Sequence, residues 1–211
     1  MNEDYLIYEE SFIFKPEFDG SIDDYINIIS NVKKLIFTNY NDLEIFIKTN
    51  NKYDKKYHSN YKCSKFNKPL SNSLNQLTQL QQLTFDRDFN QPLYNSLNKL
   101  TELQQLTFGW NFNQSIEIPL NIKILKLNCN NIYLIENLPN SIEELYLLKD
   151  FDLELNNLPS SIKLISFDKN NNYDKDLNNL PSSLEKIILP KKYNNKIYNI
   201  NINCQFSYRD N

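Results

Sequence analysis

Cys63 and His58 are the residues of this chain whose types match a nucleophilic centre, and they stand five positions apart. A cysteine activated by a histidine needs a fixed distance between the two and a third group that orients the base. The polar stretch around them supplies neither of these, nor the further ligands that a metal ion requires. We therefore predict that the chain is not an enzyme, has no catalytic or metal-binding residue and uses no cofactor.

A basic, tyrosine-rich segment surrounds that pair. Residues 48–68 hold seven lysines and one aspartate, a net charge of +6, whereas residues 1–24 hold eight acidic residues and one lysine, a net charge of −7. Lysines interleaved with tyrosines can bind single-stranded nucleic acid through charge and base stacking. The residues of this alternative site are Lys52, Tyr53, Lys55, Lys56, Tyr57, Tyr61 and Lys62. The other interpretations are a solvated lysine-rich loop, or a loop that contacts the acidic N-terminal segment.

The bulk composition is that of a soluble protein with one folded domain. The chain has 211 residues, 40% of them hydrophobic, and its net charge of −3 indicates no nucleic-acid partner for the chain as a whole. Cys63, Cys129 and Cys204 form no CxxC pair, which favours a reducing compartment, and we expect Cys129 and Cys204 to be packing residues. The opening MNEDYLIYEE lacks the features of a signal peptide, and no apolar run is long enough to cross a membrane. We expect an intracellular, cytoplasmic protein without membrane contact.

Two short phrases recur along the chain and reveal its organisation. FNKPL begins at Phe66, FNQPL at Phe89 and FNQSI at Phe112, so the first phrase recurs every 23 residues. The second phrase occurs as LPNSI, LPSSI and LPSSL from positions 138, 158 and 180. The two sets of repeats join in one common pattern, LxxLxLxxN, whose copies begin at Leu80, Leu103, Ile122, Ile142, Ile162 and Leu184. Position nine is Asn or Asp in all copies but the last. A short polar side chain at this position can bond to backbone groups of a neighbouring turn.

The residues of these copies resemble the FNIP repeat family of leucine-rich-repeat proteins, known from social amoebae and from giant viruses of amoebae. The resemblance covers residues 66–197 and implies a β-rich, α/β-type solenoid with a curved parallel β-sheet on its concave face. A repeat of this length leaves too few residues for a full helix, so the convex side should consist of extended segments and turns. Family members often join their repeats to an F-box, which implies ubiquitin-ligase adaptors. Residues 1–40 are too short for an F-box and become strand-like by Val32. For a viral chain the compartment would be the host cytoplasm.

The ends of such an array need caps over the core. We predict a cap and first strand over residues 1–40, a helix and loop insertion over 41–65, the repeats over 66–197 and a C-terminal cap over 198–211, all in one domain. The N-terminal cap is a short helix with Ser21 as its N-cap, and its apolar cover is Tyr25, Ile26, Ile28 and Ile29. At the other end, the alternating apolar residues Ile200, Ile202, Cys204 and Phe206 predict a closing strand.

The concave face is the strongest candidate for function. Positions three and five of LxxLxLxxN should point away from the core, because successive strand residues face opposite sides of a sheet. The candidate residues on this face are Ile124, Lys126, Glu144, Tyr146, Leu148, Leu164, Ser166 and Ile188. Apolar residues on a wet surface often mark a partner site. We predict a non-catalytic module that binds a protein partner there; a terminal segment folded over the face is the alternative. Trp110, at a strand exit, fits packing and binding equally well.

Overall fold

The structure is a computed structural model that describes residues 4–38, 63–70, 73–148, 151–198 and 203–208. The chain divides into two compact units, Met1–Leu103 and Gln104–Asn211. The described strands of the first unit are β1 Tyr5–Tyr8, β2 Ser11–Phe14, β3 Lys34–Phe37 and β4 Gln82–Thr84. Those of the second unit are β5 Gln105–Phe108, β6 Ile124–Leu127, β7 Glu144–Leu147, β8 Leu164–Phe167, β9 Lys186–Leu189 and β10 Gln205–Tyr208.

The described helices are short. The first unit has 3-10 helices at Ile22–Tyr25 and Ser73–Gln76 and a helix α1 at Ile26–Ile29. The second unit has α2 at Ile132–Glu136. The described parts of the connections between neighbouring strands otherwise consist of turns and extended segments, as expected for the side opposite the sheet. The prolines of the recurring phrases lie outside the strands, at Pro69, Pro92, Pro119, Pro139, Pro159 and Pro181.

Within each unit the strands follow one another in sequence order. In the first unit β1 pairs with β2 antiparallel, and β2, β3 and β4 then pair parallel. In the second unit β5 to β10 pair in parallel, each strand with the next. One strand and the connection to the next strand form one turn of the solenoid, which we call a coil. This pairing confirms the predicted parallel β-sheet solenoid with few helices.

The predicted first strand, over residues 32–37, is the third. The structure adds the hairpin of β1 and β2 before it. The period-2 signal of this hairpin is hidden because Leu6 and Ile13, on the face opposite the core, are as apolar as the residues on the core face. The predicted N-cap is confirmed: the Ser21 hydroxyl accepts a hydrogen bond from the Asp23 amide at 3.2 Å.

One aromatic ring of this helical segment packs against several rings of the N-terminal unit. The ring of Tyr25 contacts those of Tyr5, Phe14 and Phe18 edge-on, at centroid distances of 5.7, 5.3 and 5.5 Å. Ile29 is buried, as predicted, whereas Ile28 is exposed to solvent, so the cover that we expected from Ile28 is wrong. Ile22 takes up part of that role, because it is buried at the start of the cap.

The core positions of the repeat are one, four and six of LxxLxLxxN. In the second unit, the side chains at positions four and six of β5 to β9 are fully buried. Position four, for example, holds Leu106, Leu125, Leu145, Ile165 and Ile187. Register pairing joins neighbouring members of this column directly. The predicted repeat phase is therefore confirmed for these strands.

The FN phrase of the first unit links one coil to the next in two ways. The rings of Phe66 and Phe89 lie parallel, 5.9 Å apart, and Phe89 in turn stacks on Phe85 at 3.9 Å. The carboxamide oxygen of Asn67 accepts a hydrogen bond from the Asn90 amide at 2.8 Å. The phenylalanine thus packs the core while the asparagine pairs a backbone donor of the following coil.

The LPxS phrase builds the turn that leads into each strand. The carbonyl oxygens of Pro139 and Pro159 accept hydrogen bonds from the amides of Ile142 and Ile162, both at 3.2 Å. Ser161 then donates to the Ile142 carbonyl of the preceding coil at 2.7 Å. Ser183 donates to Ile162 in the same way, at 2.8 Å. The serine of this phrase therefore fastens a turn to the coil before it.

Position nine makes the expected contact in the copy that begins at Ile122. Asn130 follows the prediction, because its side-chain oxygen accepts a hydrogen bond from the Asp152 amide of the next coil at 2.7 Å. The buried asparagines among the described residues are at position ten. Asn171, 2% exposed, donates to the carbonyls of Leu148 and Phe151 at 2.6 and 3.0 Å.

A ladder of opposite charges runs along position two of the second unit. The Glu143 carboxylate lies 3.1 Å from the Lys123 ammonium and 2.7 Å from the Lys163 ammonium. Hydrogen bonds from these two lysines lower the pKa of Glu143, and its hydrogen bond raises the pKa of Lys163. All three side chains face solvent, so the ladder contributes little to stability and mainly disfavours pairings that place like charges side by side.

We expect Leu145→Ala to lower the free energy of unfolding by about 2–5 kcal/mol, because the Leu145 side chain is fully buried in the core. Leu120, 75% exposed, provides the matched control, and Leu120→Ala should shift the urea midpoint only slightly. Equal midpoints for the two variants would show that the repeat phase is wrong.

The serines of the LPxS phrase provide a second stability test. Ser161→Ala and Ser183→Ala should each cost about 0.5–1.5 kcal/mol, because each removes a hydrogen bond to the preceding coil. Ser141 occupies the same place, but its buried hydroxyl has no hydrogen-bond partner among the described residues. Ser141→Ala should therefore leave stability unchanged or raise it. Urea melts that showed the three substitutions to be equally costly would contradict this role of the phrase.

Candidate binding face

The structure places the predicted face residues on β6 to β9, side by side. Ile124, Glu144 and Leu164 are register partners along one column. The second column holds Lys126, Tyr146, Ser166 and Ile188. Leu148 follows β7 directly, at the border of the same face. We call these eight residues the outward face, because they lie on the sheet side opposite the core positions.

The outward face is less open than a bare strand surface. All of its side chains except Ser166 are half-buried, and Ser166 is only 1% exposed. Tyr146 and Ile188 are the register partners on either side of Ser166, and both are larger. Large neighbours therefore shield the small side chain between them, an effect that sequence alone does not reveal.

Tyr146 organises the polar part of this face. Its hydroxyl donates a hydrogen bond to the Glu144 carboxylate at 2.8 Å, and the Lys126 ammonium lies 5.1 Å from its ring centroid. Burial lowers the pKa of Lys126, while the charge of Glu144 partly opposes that shift. One aromatic ring thus holds a cation and an anion in place, with a cation–π contact to the first. The arrangement offers a rigid surface with both charge signs beside the apolar Leu164.

The first unit carries an apolar cluster on the corresponding side of its own strands. Ile13 and Ile36 are register partners, and they are 0% and 6% exposed. Leu6 and Tyr8 pack against them. Sequence reasoning missed this cluster because these strands precede the six recognised copies, although SFIF and KLIF share the apolar LxL spacing.

Two of the described thiols are buried in the core. Cys129 and Cys204 are 2% and 8% exposed, as expected for packing residues. Burial raises the pKa of both, that of Cys129 to about 11. Cys63 is half-buried, with the Arg87 guanidinium 3.7 Å from its sulfur, whereas His58 lies outside the described residues. Within the described part of the chain no group of three His, Cys, Asp or Glu residues is placed to hold a metal ion.

Residues 63–68 of the basic segment are described, and the Lys68 ammonium lies 3.1 Å from the Asp19 carboxylate of the acidic N-terminal segment. The predicted nucleic-acid residues Lys52, Tyr53, Lys55, Lys56, Tyr57, Tyr61 and Lys62 lie outside the described residues, as does the helix expected from Asn41. Trp110, at a strand exit, is 48% exposed. Of the helices that the structure describes, none combines the length and apolar character needed to span a bilayer.

This geometry defines the class of the protein as a leucine-rich-repeat type of β-solenoid. Residues 112–150 and 152–192 match the FNIP repeat model. For these residues the match confirms the resemblance seen in the recurring phrases. A comparison with curated proteins gave no match.

Two solved structures are similar to this chain. One is CroV588 from the giant virus CroV, described as a novel circular leucine-rich-repeat protein, with a TM-score of 0.48 and 18% sequence identity. That similarity covers 98% of this chain and 35% of CroV588. The other is an internalin, InlF, from Listeria monocytogenes, with a TM-score of 0.47, 18% identity and coverage of 94% and 62%. The chain thus spans less than two thirds of the length of either.

We expect Cys129 to resist thiol reagents in the native protein. Its pKa of about 11 leaves about one thiol in a thousand ionised at about pH 8, and burial blocks access as well. Labelling followed by peptide mass spectrometry should show reaction at the half-buried Cys63 long before Cys129, with Cys129 reacting readily only in urea. Rapid labelling of Cys129 under native conditions would contradict its assignment as a packing residue.

Proposed function

We propose that this chain is a non-catalytic interaction module that binds a protein partner on the outward face of β6 to β9, the concave face in the predicted solenoid. Repeat solenoids of this type are typical protein-interaction modules. A rigid sheet that presents neighbouring columns of side chains suits recognition better than chemistry, because no nucleophile and base lie together among the described residues.

The observation that carries the proposal is the Tyr146 cluster. Tyrosine is frequent in binding hot spots because it adds a large, rigid surface with one polar tip. The contacts with Glu144 and Lys126 fix the position of the Tyr146 ring before any partner arrives. Such preorganisation reduces the entropy lost on binding. Leu164 and Ile188, half-buried beside the cluster, provide apolar area that a partner can finish covering.

A partner suited to this face combines an apolar centre with both charge signs at its edge. Lys126 and Glu144 lie within the face, and Lys186 is the register partner of Leu164 on β9. A strongly charged partner of either sign would leave one of these groups opposed by a like charge. A folded protein surface or an amphipathic segment meets this requirement better than a polyanion.

The test is a double substitution on the face. Tyr146→Ala with Leu164→Ser should weaken the partner complex by about 2 kcal/mol or more, which is about a thirtyfold rise in Kd. The partner is first identified by affinity capture with the wild-type chain from cells that express it, and its Kd is then measured by titration.

The matched control carries the same kinds of change on another surface. Tyr133→Ala with Ile132→Ser removes one exposed tyrosine and one exposed isoleucine from α2, and should leave the Kd unchanged. Urea melts of both variants separate binding from folding. Unchanged binding together with lost stability in the Tyr146 variant would show that the outward face is structural, and the proposal would fail.

A further inference from the structure

The last strand of the second unit exposes the side chains that every earlier strand of that unit buries. Phe206 and Tyr208 stand at core positions four and six, in register with Ile187 and Leu189. They are 46% and 54% exposed, whereas the same positions of β5 to β9 are 0% exposed. Among the described residues β10 pairs only with β9. Its outer edge therefore combines strand backbone groups with two uncovered aromatic rings, and we call it the tail edge.

The first strand of the first unit has a comparable edge. Among the described residues β1 pairs only with β2. Ile7 is the register partner of the buried Phe12, so it lies on the core side of the strand, and it is 59% exposed. Tyr5, on the same side, stacks on Phe12 with a centroid distance of 4.4 Å. We call this the head edge.

The segments that contain the two edges have net charges of opposite sign. Residues 4–24, which include the head edge, carry seven acidic residues and one lysine, a net charge of −6. Residues 184–208, which include the tail edge, carry four lysines and one glutamate, a net charge of +3. Two tails brought together would repel each other, and so would two heads, whereas a head and a tail attract.

We propose that copies of this chain associate head to tail, with the tail edge of one copy adding to the head edge of the next. The added strand pairing supplies partners for backbone groups of β1 and β10 that pair with no further described strand. It also covers Phe206 and Tyr208 with Ile7, and burial of that apolar area favours the contact. Because the two surfaces differ, the contact is heterologous, and each copy keeps one free edge for a further copy.

The first measurement is the mass of the wild-type chain in solution. Sedimentation velocity over a concentration series should show a mass that rises with protein concentration. The association should weaken as salt is added, because the charges of the two edges are exposed and screened. A wild-type chain that stays monomeric at every concentration would overturn the proposal.

The second measurement uses two variants, each blocked at one edge. Ile7→Lys places a positive charge on the head edge, and Phe206→Ser with Tyr208→Ser removes the rings of the tail edge. Each variant alone should be monomeric. A mixture of equal amounts should form a one-to-one dimer, because an intact tail of the first variant can still meet an intact head of the second.

An exposed isoleucine outside both edges provides the control substitution. Ile132 is 59% exposed, as Ile7 is, so Ile132→Lys matches the head substitution and should associate like the wild type. All substituted side chains are exposed, so circular-dichroism melts should stay close to that of the wild type. A dimer of Ile7→Lys alone would indicate tail-to-tail pairing, and a mixture that stays monomeric would exclude the head-to-tail contact; either result overturns the proposal.

Discussion

The register of the parallel strands is the constraint on which the rest of the structure depends. The carbonyl of Glu143 accepts hydrogen bonds from the amides of both Lys163 and Leu164, at 2.8 and 3.1 Å, and the same fork recurs from coil to coil. These paired hydrogen bonds align the same repeat positions of neighbouring coils, so that Leu145 is the register partner of Ile165 in the core. A slip of one residue would turn the core side chains of that strand to the opposite face, so a change of register would cost much of the free energy gained by burying them.

The recurring phrases serve this register, and together they leave one side of the sheet to function. The FN phrase stacks rings and pairs backbone donors, the LPxS phrase fastens each turn to the coil before it, and the charges of position two oppose wrong pairings. None of these roles uses positions three and five. The side chains at those positions vary from polar Gln105 to apolar Leu164 without loss of the core. A repeat fold thus separates the residues that specify the structure from those free to specify a partner.

The core could be predicted from the sequence because alternate residues of a strand face the same side of the sheet. The apolar LxL spacing, as in Leu125 and Leu127, therefore identifies the buried positions. The hairpin before residue 32 could not, because Leu6 and Ile13 make both of its faces apolar. The choice of position ten for buried Asn171 also escaped prediction, since asparagine is common throughout this chain. The outward face was found by alternation, but the shielding of Ser166 depends on the size of its register partners. Burial on a strand face is a property of neighbours, and neighbours in a sheet are set by pairing rather than by the local sequence.

Amide hydrogen exchange on the intact chain is the most direct test of the stacked register. The amides of Glu143, Lys163 and Glu185 donate to the preceding coil at 2.8–2.9 Å. They should therefore exchange among the slowest, together with the amides within β6 to β9. The amides of exposed turn residues such as Asn140 and Ser160 should exchange far faster. Exchange at Glu143, Lys163 and Glu185 as rapid as in those turns would contradict the register, and with it the outward face that the register creates.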